Sequence, residues 1–280
     1  MKVNPLAAPV LKWAGGKRQL LKEITKHIPE DFSTYYEPFL GGGAVLFQLQ
    51  PSRAVINDIN EELINVYMVI RDQVEELIEE LKKHKERNNK EYYYKIRELD
   101  RDAEKYRQLS NMQKAARTIY LNKTCYNGLF RVNSKGQFNV PYGRYKKPDI
   151  VNETTLRAVS DYLNKADITI MCGDFEEAVK EAEEGSFVYF DPPYDPISAT
   201  SNFTAYSAES FNREEQIRLK RLCDKLNEKG VKFLLSNSAT DFILDLYKDY
   251  HIEIVQANRS INSKGNRRGK IDEVLVKNYG

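Results

Sequence analysis

The chain has 280 residues, 41% of them hydrophobic and 30% charged, with a formal net charge of +2. This balance is typical of folded globular proteins and excludes an intrinsically disordered chain, and no apolar run approaches the roughly 20 residues that cross a bilayer. The N-terminal segment lacks the long apolar centre of a secretory signal, so we expect a cytoplasmic protein that does not enter a membrane.

Helix and strand signals alternate over residues 1–60. The apolar periodicity predicts a helix over residues 17–27, a strand over 35–40 and a further strand over 53–57. Between the two strands, the run of glycines at 41–43 predicts a turn that opens another helix. This alternation is typical of an α/β domain.

The pattern changes after Asp58 into a long, charge-dense helical stretch. Apolar residues recur at three- and four-residue spacing over residues 63–81, which predicts an amphipathic helix, and helical sequence continues to about residue 121. Residues 126–145 are then predicted to form a β-hairpin, with its turn at 133–136.

Strand signals return in the C-terminal half of the chain. A helix from about residue 151 precedes short apolar strands, which are predicted over residues 168–172, 187–190, 231–236, 251–257 and 274–277. Strands on both sides of a helical insertion imply an α/β fold with a Rossmann-like, doubly wound mixed sheet. The predicted sheet domain covers residues 1–60 and 151–280, and the inserted helical domain with its hairpin covers 61–150.

The cysteines and histidines form neither a metal nor a disulfide pattern. The three cysteines lie far apart, and an odd, sparse set provides no disulfide framework and no CxxC pair. The three histidines are equally scattered and include no HExxH pair. We therefore expect reduced cysteines and no protein-bound metal.

Two stretches of the sequence carry basic residues without any acidic ones. Residues 120–148 contain Lys123, Arg131, Lys135, Arg144, Lys146 and Lys147. Residues 258–270 contain Arg259, Lys264, Arg267, Arg268 and Lys270. One such cluster is equally consistent with solvated loop charge, but two in a nearly neutral chain favour binding to a nucleic acid.

A glycine turn and an acidic residue follow the first two predicted strands. The turn at 41–43 is either a plain structural turn or a loop whose backbone approaches a ligand. It is not a nicotinamide fingerprint, because Leu46 stands where the third glycine of GxGxxG would be. Asp58 is placed either to accept ribose hydroxyls or to cap the next helix, and the sequence leaves both readings open.

Asp191-Pro192-Pro193-Tyr194, directly after the strand predicted at 187–190, is the most specific motif in the chain. Consecutive prolines remove two N–H donors, so the turn presents carbonyls and a carboxylate. These acceptors suit a planar amine such as the N6 amino group of adenine, whose nitrogen they would make more nucleophilic, and Tyr194 offers a ring for stacking. The alternative is a rigid turn that merely closes the strand.

Taken together, these motifs resemble the Dam family of DNA adenine-N6 methyltransferases, the α-group in which target recognition precedes the Asp-Pro-Pro-Tyr motif. The resemblance extends essentially end to end. Residues 11–17 resemble the N-terminal cofactor motif, 39–43 the methionine-binding loop and 173–175 the segment at the cofactor's adenine. The resemblance implies S-adenosylmethionine as cofactor, bound by Trp13, Lys17, Phe39, Gly41, Gly43, Asp58, Asp174, Phe175 and Asp191.

The same resemblance makes Asp191, Pro192 and Tyr194 the catalytic residues, which hold an adenine flipped out of double-stranded DNA, within GATC. The sheet domain then binds the cofactor, and residues 61–150 recognise the target. A monomer is expected, in a housekeeping or a restriction-modification role.

The residues implied to contact DNA lie in the hairpin and near both chain ends. By similarity, Lys12 and Arg131 contact bases, where a basic side chain can donate to guanine O6 and N7. Leu129 and Pro141 are assigned to the thymine methyl group, and Tyr126 to stacking near the flipped adenine. The residues assigned chiefly to phosphates are Asn127, Tyr145, Arg267 and Lys270.

Two other functions stay open from the sequence. Similar proline turns serve planar amines in methyltransferases of RNA and of protein glutamine, although the hairpin at 126–145 favours duplex DNA. A non-catalytic DNA-binding module is the third possibility, against which the intact Asp191, Asp58 and glycine turn argue.

Overall fold

The computed structural model describes residues 3–17, 20–197, 211–258 and 270–280. The chain divides into two compact units. The first comprises Met1–Gly16, Leu40–Ser52 and Asp58–Gly173, and the second comprises Lys17–Phe39, Arg53–Asn57 and Asp174–Gly280. The sequence predicts a different division, into a cofactor-binding domain of residues 1–60 and 151–280 and a target-recognition domain of residues 61–150. That division by function stays a prediction.

The described residues form seven strands. They are β1 (Tyr35–Glu37), β2 (Arg53–Asp58), β3 (Asp167–Cys172), β4 (Phe187–Phe190), β5 (Lys232–Ser238), β6 (His251–Asn258) and β7 (Lys270–Lys277). In the second unit β2, β1, β4 and β5 pair in parallel in that order. Strand β7 pairs antiparallel with both β5 and β6. The predicted mixed α/β fold is therefore confirmed.

The described helices number eleven, with two further 3₁₀ turns at Glu98–Arg101 and Tyr126–Gly128. The helices are α1 (Leu21–Lys26), α2 (Ala44–Leu49), α3 (Glu61–Asp72), α4 (Val74–Arg87), α5 (Lys90–Arg97), α6 (Ala103–Gln108), α7 (Asn111–Thr124), α8 (Glu153–Lys165), α9 (Phe175–Ala178), α10 (Arg213–Glu228) and α11 (Asp241–Leu246).

The core of the second unit lies where its sheet meets its helices. Phe190 and Phe233 of the strands belong to the same buried cluster as Phe175 of α9 and Leu219 of α10. Strands β1 and β4 are buried along their whole length. Such continuous burial is expected of parallel strands that are covered on both faces.

The first unit is mainly helical. Helix α3 packs against α7 and α8, and α4 packs against α7. The N-terminus of α3 is capped by Asn60, whose side chain accepts from Leu63 N, and α7 begins with a capping box of Ser110 and Gln113. The two ends of β3 are held within this unit, because Asp167 N donates to Ser52 O and Gly173 N donates to Asp58 O.

Several predicted elements differ in their bounds from the structure, among them the last strand, which was predicted over 274–277 and begins at Lys270. The strand predicted over 35–40 ends at Glu37, because Pro38 cannot donate to a ladder. The amphipathic stretch over 63–81 is two helices, which meet at Gln73 with φ −142° and ψ 43°. Helix α1 is shorter than the predicted 17–27.

The predicted hairpin over 126–145 is also irregular. It contains two isolated bridges, Cys125 with Tyr142 and Val132 with Phe138, rather than a regular ladder. The left-handed Asn127 (φ 59°) and Gly128 (φ 64°) turn the chain away from strand geometry. Its predicted turn is confirmed, since Asn133 N donates to Gln137 O and Gly136 N donates to Asn133 O.

Candidate active site

The catalytic motif predicted from the sequence follows β4 at the carboxyl edge of the sheet. Phe190 lies opposite Leu235 of β5, so Asp191 and Ser236 come next to each other as the two parallel strands continue. Ser236 Oγ donates to Asp191 Oδ1 over 3.0 Å. The Lys17 ammonium forms an ion pair with the same oxygen at 2.7 Å.

Lys17 and Asp191 are both largely withdrawn from solvent, with 7% and 19% of their side chains exposed. Burial raises the pKa of the Asp191 carboxyl, and the nearby Lys17 charge opposes that rise. Lys17 therefore favours the anionic form of Asp191. The sequence assigned Lys17 to the cofactor alone, and its pairing with Asp191 is a relationship that the sequence did not predict.

Tyr194 is held on both its ring and its hydroxyl. The Lys17 ammonium lies 4.4 Å from the ring centroid, within cation–π range. The hydroxyl donates to Glu273 Oε2 over 2.8 Å. Burial raises the pKa of Tyr194 well above its usual value, so the hydroxyl stays protonated and acts as a donor.

Glu273 was not identified from the sequence, and β7 brings it to this site because Glu273 lies opposite Ser238 of β5. Burial raises the pKa of its carboxyl, and the charge of Lys17 lowers it. We call Lys17, Asp191, Tyr194, Ser236 and Glu273 the catalytic cluster. Within this cluster, one ammonium group, that of Lys17, is balanced against two carboxyl groups, those of Asp191 and Glu273.

A second layer of hydrogen bonds supports the proline turn. Pro193 O accepts from Gln216 Nε2 of α10 over 2.8 Å, and Gln216 Oε1 accepts from Asn237 Nδ2 over 3.0 Å. Asn237 Oδ1 also accepts from Asp195 N over 3.1 Å. Buried Asp195 pairs with Arg213 at 3.1 Å. The turn therefore has a defined position, whereas the acceptor role predicted for the Pro192 carbonyl stays a prediction.

The glycine turn and Asp58 belong together in the first unit. Asp58 Oδ2 accepts from Gly41 N over 2.9 Å, and Oδ1 accepts from Asn60 N over 3.0 Å. Because Asn60 is the N-cap of α3, the reading of Asp58 as a helix cap is wrong. Burial raises the pKa of Asp58, and its backbone donors oppose that shift.

Only glycine fits at two positions of this turn. Gly41 (φ 50°) and Gly43 (φ 67°) are left-handed. A Cβ on Gly43 would lie 2.9 Å from Phe47 Cε2, and one on Gly41 would lie 3.1 Å from Trp13 Cδ1. The turn is thus packed closely against the Trp13 and Phe47 side chains, and its left-handed backbone favours glycine at both positions.

The residues assigned to the cofactor's adenine lie at α9 in the second unit. Asp174 caps that helix by accepting from Glu176 N over 2.9 Å, and it forms an ion pair with Arg218. The Phe175 ring stacks on Phe39, with centroids 5.2 Å apart. The structure therefore brings together Phe39 and Phe175, which are widely separated in the sequence.

The residues assigned to DNA, apart from Arg267 and Lys270, belong to the first unit. Tyr126 and Tyr145 are 55% and 41% exposed, which leaves both rings accessible. Arg131 Nε donates to Asn139 Oδ1 over 2.8 Å, so its guanidinium is already oriented. Arg267 lies outside the described residues, and Lys270 is described only as the first residue of β7.

Two further properties concern the described residues alone. No group of three or more His, Cys, Asp or Glu side chains among them could hold a metal ion. No helix in these ranges is long and apolar enough to cross a membrane.

A mostly parallel sheet that ends in an Asp-Pro-Pro-Tyr turn is the arrangement expected of an N-methyltransferase, and comparison with known proteins agrees. Residues 13–261 match the D12 class N6 adenine-specific DNA methyltransferases, and the chain belongs to that family. It is therefore an enzyme that methylates adenine N6 in DNA. The resemblance identified from the sequence is confirmed.

Relatives match over nearly the whole chain. A type II methyltransferase, M1.LlaDCHI of Lactococcus lactis subsp. cremoris, is 51% identical over 97% of this chain and 95% of its own. The type II methyltransferase M.MjaIII of Methanocaldococcus jannaschii is 46% identical over 97% and 99%. The DNA adenine methylase of Escherichia coli K12 is 38% identical over 95% and 93%. Membership of this family favours DNA over the RNA and protein substrates that the sequence left open, and it implies a methyl donor.

Proposed function

We propose that the protein transfers a methyl group from S-adenosylmethionine to N6 of an adenine turned out of duplex DNA, within GATC. The observation that carries the proposal is the ion pair between Lys17 and Asp191 Oδ1, directly after β4 and beside the Tyr194 ring. This places a carboxylate and an aromatic face together, where a planar amine needs both.

The Asp191 carboxylate and the Pro192 carbonyl accept hydrogen bonds from the N6 amino group. These bonds hold the amine and return electron density to a nitrogen whose lone pair is otherwise drawn into the ring. Lys17 favours the anionic form of Asp191 and so opposes the effect of burial on its pKa, and Ser236 donates a hydrogen bond that orients the carboxylate. The Tyr194 ring stacks on the base, which contributes about 1 to 3 kcal/mol and helps offset the few kcal/mol that base flipping costs.

The cofactor, when bound, supplies a methyl group on a positively charged sulfonium. The left-handed glycines at 41 and 43 fit this role, because they allow the tight turn with which a backbone can approach a ligand. We assign the ribose to Asp58 and the adenine to Asp174 and Phe175. The remaining cofactor contacts are assigned to Trp13, Lys17, Phe39 and Asp191. Positioning rather than covalent catalysis supplies the rate enhancement.

DNA recognition is assigned to the irregular hairpin and to Lys12. Arg131 and Lys12 contact guanines, Leu129 and Pro141 the thymine methyl group, and Tyr126 the gap that the adenine leaves. The exposure of Tyr126 supports its assignment. Phosphates are assigned to Asn127, Tyr145, Arg267 and Lys270.

The two relatives at 51% and 46% identity are named type II methyltransferases, which favours a restriction-modification role over a solitary one. A monomer located in the cytoplasm, where it has access to the chromosome, completes the proposal.

The experiment that tests the proposal uses S-adenosylmethionine with a labelled methyl group and a library of duplexes with a randomised region. Wild-type protein should label adenine N6 in GATC alone, and labelled adenines spread over unrelated sequences would contradict the proposed target. Asp191→Ala should abolish labelling while the protein still binds the cofactor and duplex DNA. Retained turnover in that variant would remove Asp191 from the chemistry.

A further inference from the structure

Asn122, in the last turn of α7, is bonded to two segments that are far apart in the sequence. Its Oδ1 accepts from Lys12 N over 2.9 Å, and its Nδ2 donates to Lys12 O over 2.8 Å. The same Nδ2 donates to Gly128 O over 3.2 Å. The side chain is 2% exposed, so these bonds form away from solvent, where an unmade hydrogen bond is costly.

The geometry around these bonds leaves little freedom. Gly128 is left-handed (φ 64°), and a Cβ there would lie 2.6 Å from Lys12 Cδ. Trp13, the residue after Lys12, stacks on Phe130, two residues after Gly128, with centroids 4.7 Å apart and 24° between the planes. The Lys12 segment and the loop at 126–131 are therefore packed against each other, and the Asn122 amide bonds to both.

We infer that Asn122 is a positioning residue for base recognition, which sets the relative placement of Lys12 and the loop that carries Arg131. The inference rests on the proposed function, because Lys12 and Arg131 are assigned there as the base-contacting residues. Asn122 itself touches neither base nor cofactor in this account. A bidentate contact to guanine needs donors placed within hydrogen-bond reach, so displacement of these backbones reduces discrimination before it reduces chemistry.

The most informative variant is Asn122→Asp, which keeps the size of the side chain and the acceptor for Lys12 N. It replaces the amide N–H groups with a carboxylate oxygen that faces two carbonyl oxygens. Protonation of that carboxylate restores one donor. Burial and the facing carbonyls raise the pKa of such a group by up to about 3 to 5 units, so the donor should return as the pH falls from about 9 to about 6.

The quantity to measure is the ratio of kcat/KM on a short GATC duplex to kcat/KM on duplexes in which each G·C pair is replaced in turn by A·T. This ratio does not depend on the concentration of active enzyme, so partial unfolding of a variant does not change it. At about pH 9, the ratio for Asn122→Asp should be lower than the wild-type ratio by roughly tenfold or more. At about pH 6 it should recover part of that loss.

Other titrating groups are controlled by wild-type measurements at each pH. The Cys125 thiol donates to Asn122 O over 3.7 Å, and burial raises its pKa to about 12, outside the range used. Lys12 is a charged residue whose backbone is bonded to Asn122, and it is present in the Asn122 and Asn164 variants alike.

Asn122→Ala and Asn164→Ala complete the set. The first removes both donations without adding a charge, and it should lower the ratio at every pH. The second is the matched control, because Asn164 Nδ2 also donates to two backbone carbonyls, Arg71 O at 2.7 Å and Ser160 O at 2.9 Å, but away from the Lys12 segment. It should leave the ratio unchanged.

A wild-type ratio in both Asn122 variants would overturn the inference, as would a loss in Asn122→Asp with no recovery at low pH. Failure of the proposed function gives a different result. If Lys12→Ala and Arg131→Ala keep the wild-type ratio, those residues do not contact bases, whatever the Asn122 variants show.

Discussion

The hydroxyl of Tyr194 donates to Glu273 Oε2 over 2.8 Å, which connects the last residue of the proline turn to strand β7. Glu273 pairs in register with Ser238 of β5. The stacking ring proposed for the flipped adenine is therefore oriented by a carboxyl group far away in the sequence. Glu273 acts through Tyr194, so it is a positioning residue rather than a catalytic one.

Two replacements of Glu273 test whether this residue orients the Tyr194 ring or only stabilises the fold. Glu273→Leu removes the acceptor and should lower kcat. The activation free energy should rise by up to about 3 kcal/mol, the upper range for a hydrogen bond to a charged group. Glu273→Gln keeps a carbonyl acceptor for the Tyr194 hydroxyl, so it should recover most of that loss. The single-turnover methylation rates of the two variants measure the loss and its recovery. Glu253→Gln on β6, whose side chain is 53% exposed, is the control and should match wild type.

The acid limb of the pH profile should depend on Lys17. Activation of the amine needs ionised Asp191, so kcat falls as the pH drops through the Asp191 pKa, which burial raises above 3.8. Lys17→Met removes the charge that lowers this pKa, so the limb should shift to higher pH. Lys22→Met, at an exposed position of helix α1, should not shift it. An unshifted limb in Lys17→Met would show that Asp191 is not the titrating group.

The same pKa shift affects stability, with a sign that can be checked. A carboxyl group whose pKa is higher in the folded state contributes stability below its unfolded pKa, and this contribution is lost as the pH rises through the folded value. Without Lys17, ionised Asp191 is buried and loses its partner. The melting temperature of Lys17→Met should therefore fall further below that of wild type as the pH rises.

The sequence was sufficient to predict those elements whose structure is determined by the local pattern of apolar residues. The four apolar residues 187–190 form β4 with the predicted ends, because such a run is bounded by a charged residue and prolines on one side. Asp191 therefore lies at a strand end as predicted. The mixed sheet was predictable for the same reason, since its strands are short apolar runs between helical segments.

Relationships that depend on long-range pairing were not predictable. Glu273 reaches Tyr194 only because β7 enters the sheet antiparallel to β5 in one particular register, which the sequence does not state. The pairing of Lys17 with Asp191 likewise joins two distant segments. The predicted hairpin forms its turn but has no regular ladder. At its start, Asn127 adopts a left-handed conformation that a regular strand does not contain.

A buried ion pair in the first unit should contribute strongly to stability. Arg117, 2% exposed, pairs with Asp100 Oδ2 at 2.8 Å, and the same oxygen accepts from Phe138 N of the irregular hairpin over 2.7 Å. Arg117→Met leaves Arg101, 2.8 Å from Asp100 Oδ1, as the remaining cation of that carboxylate, so it should cost at most about 3 to 5 kcal/mol in the free energy of unfolding. Urea denaturation measures it.

The exposed pair of Arg157 and Glu75, at 2.7 Å, is the comparison, with 47% and 61% of the side chains exposed. Arg157→Met should cost much less than Arg117→Met, because surface pairs are screened by solvent. Equal losses in the two variants would show that burial of Arg117 does not determine its contribution.

Arg131 should determine discrimination at one base pair rather than overall affinity. Its Nε donates to Asn139 Oδ1, which holds the guanidinium in a fixed orientation before DNA binds. Arg131→Ala should reduce discrimination at a single position by about 1 to 3 kcal/mol, and Asn139→Ala should reduce it less, since the cation remains. Lys135→Ala, which removes an exposed cation from the turn of the same hairpin, should weaken binding to all duplexes alike and make binding less dependent on salt concentration. Binding isotherms on GATC duplexes and single-substitution duplexes, at two salt concentrations, distinguish the two behaviours. If Arg131→Ala behaves like Lys135→Ala, Arg131 contacts the backbone and another residue recognises that base.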